Sequence, residues 1–148
     1  METVKKLRIV QILLTLTAAE FFGPALRDID VSHLQNPEWP GHARVHMMWL
    51  ISYMVTSGMA NIYLIWFRKP FALQNLYLAF GWQACNLAAF WSAVIFSPLY
   101  KGAVIDGKYH VEILGINENI LAFTLLSSLT AISFAYFRFS VAPRLKQL

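Results

Sequence analysis

Cysteine and charge are both scarce in this chain. The single cysteine, Cys85, excludes an internal disulfide and any metal site built from several thiolates. Charged residues make up 14% of the 148 residues and hydrophobic ones 57%, whereas roughly a quarter of an ordinary soluble domain is charged. Because this is too little charge to cover a water-facing surface, the composition predicts a multi-pass integral membrane protein.

The basic residues do not form a nucleic-acid-binding stripe. The formal net charge is +4, but Lys and Arg lie at the ends of apolar stretches, where they act as topology signals. We therefore expect no nucleic-acid partner. The expected partners are membrane lipids and a lipophilic small molecule, while the cofactor and the oligomeric state stay open.

Four apolar stretches approach or exceed the length that spans a bilayer, about 20 residues. They cover residues 9–26, 45–67, 73–97 and 119–139. The first has a basic start and a weak cleavage site at 17–19, like a signal peptide, but its apolar pattern continues beyond that site and favours a spanning helix. The sequence thus predicts an all-α fold, a four-helix bundle in one membrane domain, residues 1–148.

The distribution of Lys and Arg orients this bundle. Both termini and the short second loop carry eight of these residues: Lys5, Lys6, Arg8, Arg68, Lys69, Arg138, Arg144 and Lys146. The other side carries four: Arg27, Arg44, Lys101 and Lys108. Because basic residues favour the cytoplasmic side, we expect both termini in the cytoplasm (N-in, C-in).

In this topology the titratable side chains gather at the outer mouth of the bundle. All four histidines lie there: His33, His42, His46 and His110. Most acidic residues lie there too: Asp28, Asp30, Glu38, Asp106 and Glu112, with Glu20 and Glu118 in or near the outer halves of their helices. Such one-sided clustering favours a functional site at that mouth.

The first loop is expected to be ordered. Proline follows both Asn36 and Trp39, and a residue before proline is held in an extended conformation. Pro40 also suits the first turn of the second helix, where its missing N–H costs nothing.

His42 and His46 are four residues apart and share one face of the second helix. Two imidazoles at this spacing can hold a metal ion, with His33 or a loop carboxylate as a third ligand. A histidine beside a carboxylate can instead transfer protons near neutral pH. A third interpretation is that these side chains only hydrogen-bond to water and lipid head groups. Four histidines are too few for the eight-histidine diiron desaturases and hydroxylases.

Glu20 is the most informative single residue. An ionisable side chain inside an apolar span is costly and usually faces the bundle interior. We predict that Glu20, His42 and His46 handle protons, oriented by Asp28 or Glu118.

The predicted ligand-binding residues complete this site. Arg44 would hold an anionic or carbonyl oxygen, and aromatic side chains would form the apolar walls. The set is Asn36, Trp39, Arg44, Trp49 and Tyr53. Polar residues within the later spans either line a cavity or hold helices together, and the second interpretation is favoured; they are Asn61, Gln83, Asn86, Thr124 and Ser127.

The segment NPEWPGHARVH resembles an uncharacterised family of small four-helix membrane proteins of fungi and bacteria. That family carries the pattern D-x-x-x-x-H-x-x-N-P-x-W-P-x-H-A-R-x-H, matched here by Asp28, His33, Asn36, Pro37, Trp39, Pro40, His42, Ala43, Arg44 and His46. The resemblance implies a shared site and a four-helix fold but no reaction. In size and hydropathy the chain also looks like emopamil-binding-type proteins, whose bundle pocket uses acidic and aromatic residues on sterol-like molecules; this is an analogy of architecture.

The leading functional expectation is binding of a lipophilic small molecule beneath the first loop, with isomerisation or hydrolysis as possible chemistry. The first alternative is a metal-binding membrane protein that uses His33, His42 and His46. The second alternative is a non-catalytic subunit of a larger membrane complex.

Overall fold

The computed structural model describes residues 2–109 and 111–145. Four helical segments in it are long and apolar enough to cross a membrane: Glu2–Arg27, Gly41–Phe67, Leu73–Tyr100 and Glu118–Leu145. The predicted four-helix bundle is thereby confirmed, whereas the N-in, C-in orientation stays a prediction. His110 and Lys146, assigned above to the outer and inner sides, lie outside the described residues.

The first span consists of two helices, α1 (Glu2–Thr17) and α2 (Ala19–Arg27). They meet at Ala18, whose carbonyl accepts a hydrogen bond at 3.0 Å from the N–H of Phe21, three residues further along the chain. The first span begins at Glu2 and not at residue 9 as predicted. The reason is that the basic residues before the apolar stretch also belong to helix α1.

The other three spans carry irregular turns at their ends. The second is α3 (Gly41–Ile62) with a π-helical turn (Tyr63–Phe67), and the third is α4 (Leu73–Phe96) with a 3₁₀ turn (Ser97–Tyr100). The fourth is α5 (Glu118–Tyr136), a π-helical turn (Phe137–Val141) and α6 (Ala142–Leu145). The predicted ends at residues 45, 97, 119 and 139 therefore lie inside the observed helical segments, which extend further than predicted.

A short hairpin leads into the last span. Strand β1 (Glu112–Ile113) pairs antiparallel with β2 (Ile116–Asn117). Its two turn residues, Leu114 and Gly115, have φ values of 56° and 75°, as a type I′ turn requires. Asn117 then caps α5, because its side-chain oxygen accepts the N–H of Asn119 at 3.0 Å.

The bundle has two differently filled ends. At the terminal end, where Glu2 pairs with Arg144 at 3.0 Å, the large hydrophobic core lies; it includes Val10, Leu14, Ile65, Leu76, Phe80, Phe137 and Val141. At the loop end, formed by Arg27, residues 28–40 and Glu118, the buried cluster is only Ala25, Ile51 and Met54. The smaller core leaves space for cavities there.

A hydrogen-bonded network holds the middle of the bundle together. Gln83 accepts from Thr17 Oγ1 at 2.6 Å and donates to the Leu14 carbonyl and to Asn61 Oδ1, both at 2.9 Å. Asn61 in turn donates to the Ala79 carbonyl at 3.2 Å. Asn61 and Gln83 thus join α1, α3 and α4, which is the helix-holding role favoured from the sequence.

Candidate functional site at the loop end

Arg27 connects the separate segments of the loop end. Its Nη1 donates to Asp30 Oδ2 at 2.8 Å and to Ser32 Oγ at 3.3 Å, both in the first loop. Its Nε donates to Glu118 Oε1 at 3.3 Å and its Nη2 to the Tyr109 carbonyl at 3.0 Å. One guanidinium therefore holds the first loop, the third loop and the start of α5 in fixed relation.

Asp28 and His33 form a carboxylate–imidazole pair beside this guanidinium. Asp28 Oδ1 lies 3.6 Å from His33 Nδ1, and the chain turns between them because the N–H of Leu34 donates to the Asp28 carbonyl at 3.0 Å. Burial raises the pKa of Asp28, while the positive charges of His33 and Arg27 act in the opposite direction. A carboxyl group beside an imidazole is a pair of groups that can exchange a proton.

The hydrogen bonds of Ser32 identify which imidazole nitrogen is free. The Ser32 hydroxyl donates its one hydrogen to Asp30 Oδ1. Its contact with His33 Nδ1, at 2.7 Å, must therefore have the imidazole as donor. In the neutral ring the proton then sits on Nδ1, and Nε2 is left to accept a proton.

Two cavities adjoin the Asp28–His33 pair. The outer cavity, about 250 Å³, is also lined by Arg27, Trp39 and Glu118, together with residues 103–106. The inner cavity, about 340 Å³, extends between α2, α3, α4 and α5; apolar Leu50, Met54, Phe90 and Phe123 line it with Asn86. Asp28, His33 and Asn119 line both cavities. The pair therefore lies between a polar space and an apolar one.

Glu20 is fully buried behind the inner cavity, as its position in the sequence predicted. The side chain of Asn86, which lines the cavity, faces its carboxyl group. Within the described part of the chain, neither Glu20 oxygen nor Asn86 Nδ2 has a partner at hydrogen-bond geometry. Glu20 and Asn86 form a second polar position, at the deep side of the apolar space. Polar atoms that are buried without a partner are costly.

The structure brings His42 and His46 together, but away from the cavities. Their Nε2 atoms are 3.0 Å apart, and both side chains are exposed on α3. Trp49 and Tyr53, predicted as pocket walls, are 70% and 53% exposed and border a surface groove with His46. These four residues face the outside of the bundle, because the opposite side of α3 packs against α2.

Three other predicted ligand-binding residues have different roles in the loop. Trp39 lines the outer cavity and meets the His33 ring edge-on, with ring centroids 5.6 Å apart. Asn36 is buried and accepts the N–H of Glu38 at 2.9 Å. Arg44 donates to the Asn36 carbonyl at 2.8 Å and so secures the loop; it does not line either cavity.

His42 and His46, the two histidines predicted to handle protons, line neither cavity. His33, predicted as a metal ligand, and Arg27, predicted as a topology signal, both lie at the cavities instead. The signal that could have identified the pair is the D-x-x-x-x-H spacing of Asp28 and His33 in a loop that ends a span. Asp28 and Glu118, both predicted at the outer mouth of the bundle, line the outer cavity together with Arg27.

The three-histidine metal site is not assembled. Within residues 2–109 and 111–145, no group of three His, Cys, Asp or Glu side chains is close enough to hold one ion. His33 lies at the cavities with Asp28, so His42 and His46 remain as a pair.

The comparisons with known proteins add no assignment. No protein-family model matches this chain, and no curated protein or solved structure matches it. The resemblance carried by residues 28–46 therefore stays a prediction.

Proposed function

We propose that this chain is a multi-pass membrane protein that binds a lipophilic small molecule in the inner cavity and exchanges a proton with it through the Asp28–His33 pair. The observation that carries the proposal is that Asp28 and His33 line both the polar outer cavity and the apolar inner cavity. A proton-exchanging pair at such a boundary can meet the polar group of a molecule whose apolar part is buried.

The geometry supports distinct roles for the residues around the inner cavity. His33 Nε2 accepts the proton, and the Asp28 carboxylate stabilises the imidazolium that results. Met54, Phe90 and Phe123 contact the apolar part of the ligand, and Asn86 hydrogen-bonds to a polar group at its deep end. Isomerisation is favoured over hydrolysis, because moving a proton within one molecule requires no further reactant.

The proposal includes the placement of the site relative to the membrane. With N-in, C-in topology the loop end faces away from the cytoplasm, and both cavities lie on that side. A reporter fused to the C-terminus, active only in the cytoplasm, tests this placement. An inactive reporter in a correctly inserted protein would mean that the orientation is the opposite of the proposed one.

The decisive experiment is identification of the bound molecule. The full chain is purified in mild detergent, and its co-purified lipophilic compounds are extracted and measured by mass spectrometry. We expect a compound that is enriched in the wild type and lost from His33→Gln and Asp28→Asn. The matched control, His42→Ala, should retain it, because His42 does not line the cavity. Equal retention in all four proteins would refute the proposal.

A further inference from the structure

We propose that His42 and His46 form a two-histidine chelating site for a divalent transition-metal ion, with Cu²⁺ as the tightest-binding ion, on the outer surface of α3. The two Nε2 atoms are 3.0 Å apart, and the ring centroids are 4.5 Å apart. The site is independent of the proposed ligand cavity, since neither histidine lines it.

The two nitrogens are close enough to bind the same metal ion. With metal–nitrogen bonds of about 2.0–2.1 Å, two ligands at a right angle lie about 2.9 Å apart, and two at a tetrahedral angle about 3.4 Å apart. The observed 3.0 Å is the length of the hydrogen bond in the metal-free pair and lies between these two values. Either arrangement therefore needs only a small shift of the rings, and the preference for Cu²⁺ follows from the general order of divalent-metal affinities, in which Cu²⁺ binds nitrogen ligands most tightly.

Local structure holds the pair ready for a metal ion. Pro40, in an extended conformation, precedes the first residue of α3 and so fixes where the helix begins. The spacing of four residues places both rings on one face. The His46 ring also packs near Trp49, with centroids 6.1 Å apart. The two rings therefore need little rearrangement for a metal ion to take the place of the hydrogen atom in the bond between their Nε2 atoms.

The remaining coordination positions are open. No third His, Cys, Asp or Glu ligand lies close to the pair in the described residues, and both histidines are exposed. Water or a small anion would complete the coordination sphere. Such a site exchanges its metal readily, unlike a closed structural site with four protein ligands.

Cu²⁺ titration of the tag-free full chain in detergent tests the site. We expect one Cu²⁺ per chain, with an electron paramagnetic resonance spectrum that shows two nitrogen ligands. His42→Ala and His46→Ala should each weaken Cu²⁺ binding more than about tenfold. Even the removal of a residue that only orients a metal ligand lowers metal affinity by at least about tenfold. The matched control His33→Gln should bind as the wild type does. Cu²⁺ should bind more tightly than Zn²⁺.

Several outcomes would overturn the site. They are no Cu²⁺ binding by the wild type, undiminished binding in either single variant, loss of binding in His33→Gln, or a preference for Zn²⁺ over Cu²⁺. Folding does not confound the result, because both side chains are exposed and the metal-free variants should unfold at the wild-type temperature. Retention of the lipophilic ligand should also be unchanged, which separates this test from that of the proposed function.

Discussion

Gln83 and Asn61 hydrogen-bond to each other at 2.9 Å in the middle of the bundle and so connect α4 to α3. Replacement of Gln83 by Leu should lower the free energy of unfolding by about 1–3 kcal/mol, because it leaves the buried Thr17 and Asn61 side chains without this partner. Unfolding in mixed micelles with increasing denaturing detergent measures the loss.

Asn86 provides the matched control, since it lies three residues further along the same helix. Its Nδ2 has no partner in the described part of the chain, and its side chain lines the inner cavity. Asn86→Leu should therefore change the stability little but reduce retention of the lipophilic compound. Equal destabilisation by the two substitutions would contradict the separate roles of Gln83 and Asn86.

Gly58 allows α2 and α3 to approach each other. A Cβ added there would lie 2.5 Å from Cζ of Phe22, so Gly58→Ala should destabilise the protein by about 1–3 kcal/mol through overpacking. Thermal unfolding in detergent measures the change, and Phe22→Leu in the same background should restore part of it.

Gly81→Ala is the control for this steric argument. Apart from its own helix backbone and chain neighbours, a Cβ at Gly81 meets no atom of the described residues within 4 Å, and alanine is favoured over glycine inside a helix by roughly 0.5–1 kcal/mol. We expect a stability equal to or above that of the wild type. Destabilisation by both alanine substitutions would show that the Phe22 contact is not the cause.

Arg27 should matter more for stability than an exposed arginine does. Arg27→Gln removes the charged bonds to Asp30 and Glu118, and we expect a loss of about 2 kcal/mol. Arg68→Gln, at an exposed position outside the loop end, should have almost no effect. Proteolysis of the first and third loops should also accelerate in Arg27→Gln alone; unchanged cleavage would argue against the connecting role of Arg27.

The number and order of the spans could be predicted from sequence because hydropathy depends only on composition along the chain. The ends were less accurate, since polar residues at span ends can continue a helix or not. Glu2, for example, is helical and pairs with Arg144 at the other end of the sequence. No local pattern indicates that contact.

The site was predicted only in part, for a related reason. The burial of Glu20 could be predicted because an ionisable side chain within an apolar span usually faces the bundle interior. The direction that His42 and His46 face depends on how α3 is rotated in the bundle, where Gly58 lies close to the Phe22 ring of α2. Likewise, the meeting of Asp28 with His33 depends on the turn of the first loop. The spacing of Asp28 and His33 is compatible with such a turn, whereas the rotation of α3 depends on contacts between helices that residue spacing does not encode.

The stability of the protein should depend on pH through Asp28. Burial raises the pKa of its carboxyl group above the ordinary value of 3.8, so the folded state holds the proton more tightly than the unfolded state does. Its contribution is fully present below pH 3.8 and is lost as the pH rises through the higher folded pKa. Relative to Asp28→Asn, the protein should therefore become less stable over this interval. Both proteins should carry His33→Gln, so that the imidazole does not titrate.

Asp30 supplies a control of opposite sign. Hydrogen bonds from Ser32 lower the pKa of the Asp30 carboxyl group, so its contribution is present above the ordinary value of 3.8 and is lost only as the pH falls through the lower folded pKa. The stability difference between the protein and Asp30→Asn should thus not decline as the pH rises from 3.8, while the difference for Asp28→Asn declines. A constant or rising difference for Asp28→Asn, measured by denaturant unfolding across this range, would mean that the Asp28 carboxyl is not buried between the two cavities as the structure has it.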